Sequence, residues 1–142
     1  MIKEITISGQ TVKFEATTGT GELYQIFTGR NIYNDYLRIA EMYTRKGVDP
    51  EDAGSILKNM SMDEITSTLE LVQKMGFVMY IQANTKGETA VDKIRNIKAR
   101  LNDDEFLAWI LGIEREEFNG ELFEQFMELM GLNNKTTVEP KN

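Results

Sequence analysis

The sequence predicts an α+β fold that is predominantly α-helical, a small N-terminal β-hairpin packed on a bundle of about five to six helices. The first observation behind this is a change of period. Residues 4–16 alternate apolar and polar as a strand pair does, whereas from Leu23 onward apolar residues recur at the three- and four-residue spacing of helices. The second is composition. With 41% hydrophobic and 27% charged residues the chain has a globular balance, and seven Phe, five Tyr, one Trp and eight Met supply bulk for a core. A length of 142 residues makes one domain the simplest organisation, read as residues 1–132 followed by a flexible polar tail over 133–142.

In the hairpin, Ile5, Ile7, Val12 and Phe14 point to one side and Ser8-Gly9-Gln10 supplies the turn. Two strands alone are marginal, so the hairpin is expected to lie on helices. A first short helix carries Leu23, Ile26 and Phe27 on one face and stops near Gly29. A second carries Ile32, Tyr36, Ile39, Ala40 and Tyr43 and ends at Gly47. Asp49-Pro50 is a helix start, an N-cap followed by a residue preorganised for the first turn, and it opens a brief segment with Ile56, Leu57 and Met60.

Ser61-Met62-Asp63-Glu64 has the form of a capping box. It opens the longest helix, roughly 62–83, whose wide apolar face includes Ile65, Leu69, Leu71, Val72, Met75, Val78 and Met79. This is the expected central core helix. Gly76 within it marks either a close helix crossing or a weak point. Thr89 with Asp92 caps the next helix, directing Val91, Ile94, Ile97 and Leu101 inward and Lys93, Arg95, Lys98 and Arg100 outward. Asn102 and Glu105 begin another, with Phe106, Leu107, Trp109, Ile110 and Ile113. The last, about 121–130, has Leu122, Phe123, Phe126, Met127 and Met130 as its apolar set, and Gly131 is placed to cap it.

Several classes of function are removed by what is missing. Without His or Cys there are no His–Cys zinc sites, cysteine nucleophiles or Ser-His-Asp triads, so acid–base work would fall to carboxylates, Lys or Tyr. Without Cys there is also no disulfide framework, and a cytoplasmic location is the default. The opening Met-Ile-Lys-Glu lacks a signal peptide's apolar stretch, and no apolar run approaches the roughly 20 residues that span a bilayer. A net charge of −7 argues against nucleic acid as a partner, because such binding needs a positive footprint.

Three motifs fail on inspection. Thr17-Thr18-Gly19-Thr20-Gly21-Glu22 sits between strand and helix like a phosphate loop, but lacks the Gly-Lys-Ser/Thr ending, and Tyr24 stands where a dinucleotide loop has its third Gly. Asp49-Pro50-Glu51-Asp52 is better read as helix capping than as a calcium loop, since Ala53 and Gly54 break the ligand register. The carboxylates at Asp103, Asp104, Glu105, Glu114, Glu116 and Glu117 read as acidic helix surface, not a glycosidase pair. No cofactor and no metal are implied, and the expected role is not enzymatic.

Charge segregation says more. Four basic and no acidic residues fall between Lys93 and Arg100, and nine acidic residues with only Arg115 basic fall between Asp103 and Glu128. Either these surfaces pair internally, at under about 1 kcal/mol per exposed pair, or they join copies head to tail. Trp109, Phe123, Phe126, Met127 and Met130 likewise have two readings. One is core packing. The other is a partner-binding face that receives a helix, with aromatic and Met anchors. Substituting Phe126 by Asp separates them: the partner face predicts lost capture in a folded protein, the core predicts unfolding.

The end of the chain carries a resemblance. Residues 127–141 (MELMGLNNKTTVEPK) run an amphipathic helix into a Leu-Asn-x-Lys-Thr-Thr-x-x-Pro-Lys tail. This resembles the C-terminus of tail assembly chaperones of long-tailed phages and prophages of Gram-positive bacteria. The hairpin with its Thr-Gly helix start, residues 75–84 (MGFVMYIQAN) and residues 104–109 are similar to the same family. Together these cover both ends and about half the chain. Met130 departs from the family's pattern, where Trp is more frequent. The resemblance implies a non-catalytic protein that binds the tape measure protein, keeps it soluble in the host cytoplasm, assists polymerisation of tail tube subunits around it, and is absent from the mature virion. It also implies a longer form made by ribosomal frameshifting near the stop codon. Composition alone leaves an alternative, a small acidic cytoplasmic adaptor or inhibitor that binds a basic protein.

Overall fold

A computed structural model describes residues 1–45 and 61–132, without the side chain of Tyr43. The predicted stop at Gly47, the Asp49-Pro50 helix start, the segment with Ile56, Leu57 and Met60, and the polar tail over 133–142 lie outside the described residues.

Strands β1 (Ile2–Ile7) and β2 (Gln10–Glu15) pair antiparallel, with Ile2 opposite Glu15 and Ile7 opposite Gln10. The turn is the two-residue Ser8-Gly9, both with positive φ, which suits the right-handed twist of the flanking strands. Gln10 therefore belongs to β2 and not to the turn. Ile5, Ile7 and Phe14 are buried and Val12 is partly so, which is the predicted inward face.

Six α-helices follow among the described residues: α1 (Thr20–Thr28), α2 (Ile32–Arg45), α3 (Met62–Ala83), α4 (Ala90–Arg100), α5 (Asp103–Leu111) and α6 (Gly120–Leu129). A single 3-10 turn, Arg115–Glu117, precedes α6. The fold is thus α+β and predominantly helical, with the hairpin laid across the helices.

The starts of α2 to α6 are built from capping side chains that the sequence offers, whereas α1 starts at Gly19 with no side-chain cap. Asn31 accepts the amides of Tyr33 and Asn34 at the head of α2. Ser61 Oγ accepts Glu64 N–H while Glu64 Oε1 accepts Ser61 N–H, closing the capping box of α3. Thr89, Asn102 and Asn119 cap α4, α5 and α6 by accepting the amides of Asp92, Glu105 and Leu122, without the return bond of a box. At the end of α6, Gly131 has φ of 73°, its amide bonds Glu128 O, and Leu132 N–H bonds Met127 O. This is a Schellman closure, and it depends on the left-handed glycine.

The core is organised around α3. Over Met75–Gln82 every residue except Tyr80, which is half-buried, is withdrawn from solvent, so this stretch is covered on nearly all sides. Strand β2 lies on it with α1, α2, α4, α5 and α6 around it. Aromatic rings fill the gaps: Phe14 meets Phe126 at 5.0 Å between ring centroids, Phe77 meets Phe27 at 5.2 Å and Phe106 at 5.4 Å, and Trp109 stacks on Tyr80 at 5.5 Å.

Three helices turn differently from expectation. In α1 the buried residues are Thr20 and Tyr24; Ile26 is exposed and Leu23 and Phe27 sit at the border, because the Tyr24 hydroxyl reaches inward to Asp35. In α4 only Ile97 and the following Leu101 are buried, while Val91 and Ile94 are exposed. One side of α4 meets α3, and the predicted inward stripe is split across it. In α5, Phe106 is buried but Leu107 is half exposed. The apolar run exceeds what one helix can hide on one face.

Gly76 is a close crossing. A Cβ built there would lie 2.5 Å from Cε2 and 2.8 Å from Cζ of the Phe126 ring, which itself has no room to retreat beside Phe14. Helix propensity favours Ala over Gly by about 1 kcal/mol, but forcing a methyl into a packed core costs about 1–3 kcal/mol. Gly76→Ala is expected to lose on balance. Thermal unfolding monitored by circular dichroism should show a melting temperature lowered by several degrees; a rise would mean that the ring moves freely.

Candidate functional site

The five residues read as a possible partner face lie in or against the core. Phe126 is fully buried, Phe123 and Met127 are buried, and Met130 and Trp109 pack partly buried against the same cluster. Trp109 borders Phe14 at 6.4 Å, Phe77 at 5.8 Å and Phe118 at 6.0 Å. These burials favour the core reading of the stripe. In α6 the apolar side faces α3 and β2, and a ligand could reach Phe126 only by unfolding the helix.

Two polar clusters are buried, and both are internally satisfied. Thr20 Oγ1 accepts the Thr17 amide at 2.8 Å and donates to Gln82 Oε1 at 2.8 Å, while Gln82 Nε2 donates to Thr17 Oγ1 at 2.7 Å. Two threonines of the rejected phosphate loop, the buried Thr20 and the more exposed Thr17, are thus bonded to the central helix. The second cluster joins α1 to α2. Tyr24 donates its hydroxyl proton to Asp35 Oδ2 at 2.8 Å, Arg30 forks onto both carboxylate oxygens at 2.6–3.1 Å, and Arg38 stands 3.4 Å away.

Burial alone would push the Asp35 carboxyl up. The hydrogen bonds from Arg30 and Tyr24, with the charges of Arg30 and Arg38, outweigh it and hold the group below the usual carboxylate range. Tyr24 is pushed well up by burial and by its bond to Asp35. A carboxylate that is ionised and fully bonded at neutral pH and an un-ionised phenol make a structural pin. Neither is poised to exchange a proton near neutral pH.

The accessible chemistry lies on the outer side of α5. Asp104, Leu107, Ala108 and Leu111 recur at offsets of three, four and seven residues and all are exposed, Leu111 at 83% and Leu107 at 50%. Asp103, Asp104 and Glu105 gather in the first turn, at the N-terminal end of this strip. Of the nine carboxylates between Asp103 and Glu128, Glu105 lies 3.7 Å from Arg100 and Glu128 lies 3.6 Å from Lys3. The other seven have no ion-pair partner among the described residues. Internal pairing of the basic α4 with the acidic segment is thus limited to that one contact at the α4–α5 corner. Lys93 pairs with Glu15 at 3.8 Å and Arg95 with Asp92 of its own helix at 3.3 Å.

An exposed apolar strip with unpaired carboxylates at one end is suited to an amphipathic helix that carries basic residues. The sequence reading missed this face because it grouped Leu107 with Phe106, Trp109, Ile110 and Ile113 without separating the sides of the helix. The available signal was the unbroken run Phe106–Leu111, since a helix with one buried face cannot hide six consecutive apolar residues. No family model, curated protein or solved structure matches the chain.

Two outcomes follow. Phe126→Asp places a charge in a filled core and should abolish the cooperative thermal transition; a folded variant with a near-normal melt would restore the partner-face reading. For Asp35, the folded-state value lies below the unfolded one, so its stabilisation is present above about pH 4 and is lost as pH falls through the folded value. Asp35→Asn should lower the melting temperature at pH 7 and flatten its decline on acidification. A variant with the wild-type acid slope would show that the pin contributes nothing.

Proposed function

We propose that this protein acts by binding, as a tail assembly chaperone of a long-tailed phage or prophage, and not as an enzyme. The observation that carries the binding role is the outer face of α5, where Leu107 and Leu111 stand exposed on a strip that begins at the unpaired Asp104. The resemblance of residues 127–141 and 75–84 to tail assembly chaperones supplies the partner. On this reading the client is the tape measure protein, whose length exposes apolar helix faces that aggregate until tail tube subunits cover them. A small acidic protein with an accessible leucine strip would shield such faces in the bacterial cytoplasm and leave before the virion is complete. The net charge of −7 adds solubility to whatever complex forms.

The same acidic surface also favours a second reading, an adaptor or inhibitor that occupies a compact basic protein. The two differ in the client. Sequencing the genes beside this one and co-expressing the protein with any very long helical product encoded there tests the proposal. The tape measure protein should become soluble and co-purify, and Leu111→Asp should lose capture while keeping its helical circular dichroism. Capture of a compact basic protein, with no effect on a neighbouring tape measure protein, would replace the chaperone with the adaptor.

A further inference from the structure

Helix α4 presents the counterpart of the α5 face. Val91, Ile94, Arg95 and Lys98 follow the same offsets of three, four and seven residues, and all four are exposed, Val91 at 64% and Ile94 at 49%. One strip is apolar at its N-terminal end and basic at its C-terminal end, the other apolar with an acidic N-terminal end. Lys98 has no ion-pair partner among the described residues, nor does Asp104.

The match extends to register. If the two helices lie antiparallel, Lys98 falls beside Asp104, Ile94 and Arg95 meet Leu107 and Ala108, and Val91 meets Leu111. Antiparallel packing also opposes the helix dipoles favourably, the positive N-terminus of one beside the negative C-terminus of the other. Within one chain the two strips do not meet. Ile97, Leu101 and Phe106 turn into the core at the α4–α5 corner, where Arg100 contacts Glu105, and both strips are left facing outward.

We infer that the α4 strip of one copy docks on the α5 strip of the next, a head-to-tail contact between copies of this chain. Different surfaces meet at such a contact, so it propagates into a ring or filament and does not stop at a twofold dimer. Each strip spans about 10 Å of helix and offers two large apolar side chains. The buried area falls below the roughly 1,200 Å² of stable complexes, so the contact is weak, reversible and salt-sensitive. The α5 face is also where the proposed client helix would bind, so a bound copy and a bound client exclude one another. The inference rests on the two strips alone and does not depend on who the client is.

Sedimentation velocity on the full chain, from micromolar to millimolar protein at low and at physiological salt, provides the test. Wild-type protein should sediment faster as concentration rises, and less so in salt. Ile94→Asp and Leu111→Lys should each remain monomeric, since each lacks one of the two faces. Mixed in equal amounts they should form dimers and nothing larger, because one intact α4 strip still meets one intact α5 strip. Both positions are at least half exposed or nearly so; should either variant melt early, Ile94→Ser and Leu111→Ser replace them in the same mixing scheme. A further pair tests the charge: Lys98→Glu should weaken association at least tenfold, and adding Asp104→Lys should restore it. A wild type that is monomeric throughout, single variants that associate normally, or a mixture that stays monomeric would each overturn the inference. Capture of a tape measure protein is read separately, by co-purification, so a failure of self-association leaves the chaperone proposal standing.

Discussion

The structure depends on one constraint, that the second half of α3 has almost no side free for solvent. A stretch of helix that is apolar nearly all round must be covered nearly all round, because each apolar side chain left in water forgoes about 1.5–3 kcal/mol. Every other described element is placed by that need. Strand β2 lies over one side with Phe14 in contact with the ring of Phe126, α1 and α2 close another, and α5 and α6 bring Trp109 and Phe126 to the glycine at position 76. The absence of a Cβ at Gly76 lets the aromatic ring approach the helix backbone directly. Helix α6, the hairpin and α3 are thereby locked through one small area.

Around that apolar centre the polar interior is sparse and fully bonded. Gln82, on α3, takes its partners from Thr17 on the connector and Thr20 at the start of α1, and so fixes where the hairpin hands over to the helices. Asp35 with Tyr24 and Arg30 fixes the angle between α1 and α2. A buried amide or carboxylate left without such partners would cost several kcal/mol, so these bonds define a unique packing more than they add stability. They also explain why the titratable groups with shifted behaviour are structural. Their chemistry is consumed inside the fold.

What remains for function is the surface, and the surface is asymmetric. Basic residues gather on α4 and acidic ones from α5 onward, with exposed apolar residues on the outer side of both helices. An arrangement that repels its own acidic neighbours over one face while leaving leucines bare is unfavourable for an isolated molecule. It is reasonable for one that receives helices. Both the proposed client and a second copy of the chain satisfy the same physical demand, to cover apolar surface and neutralise charge at once.

Local signals settled much of this protein. The capping box at Ser61 and Glu64, the caps at Thr89 and Asn102, the left-handed glycine after α6, the strand alternation of Ile5, Ile7 and Phe14, and the extent of α3 were all legible in the sequence. Each is decided by residues within a few positions of one another. Which faces of α1, α4 and α5 turn inward was not legible. A helix with apolar residues on two sides has no preferred face of its own, and the choice falls to neighbours distant in sequence. Tyr24 turned inward because Asp35 waited for it, and Gly76 became a crossing because Phe126 arrived from a helix 50 residues later. Val91, Ile94, Leu107 and Leu111 were left outside because α3 had already been covered by others. Local chemistry sets where elements begin and end; competition for a limited buried area, resolved only in the assembled fold, sets which side chains remain to meet a partner.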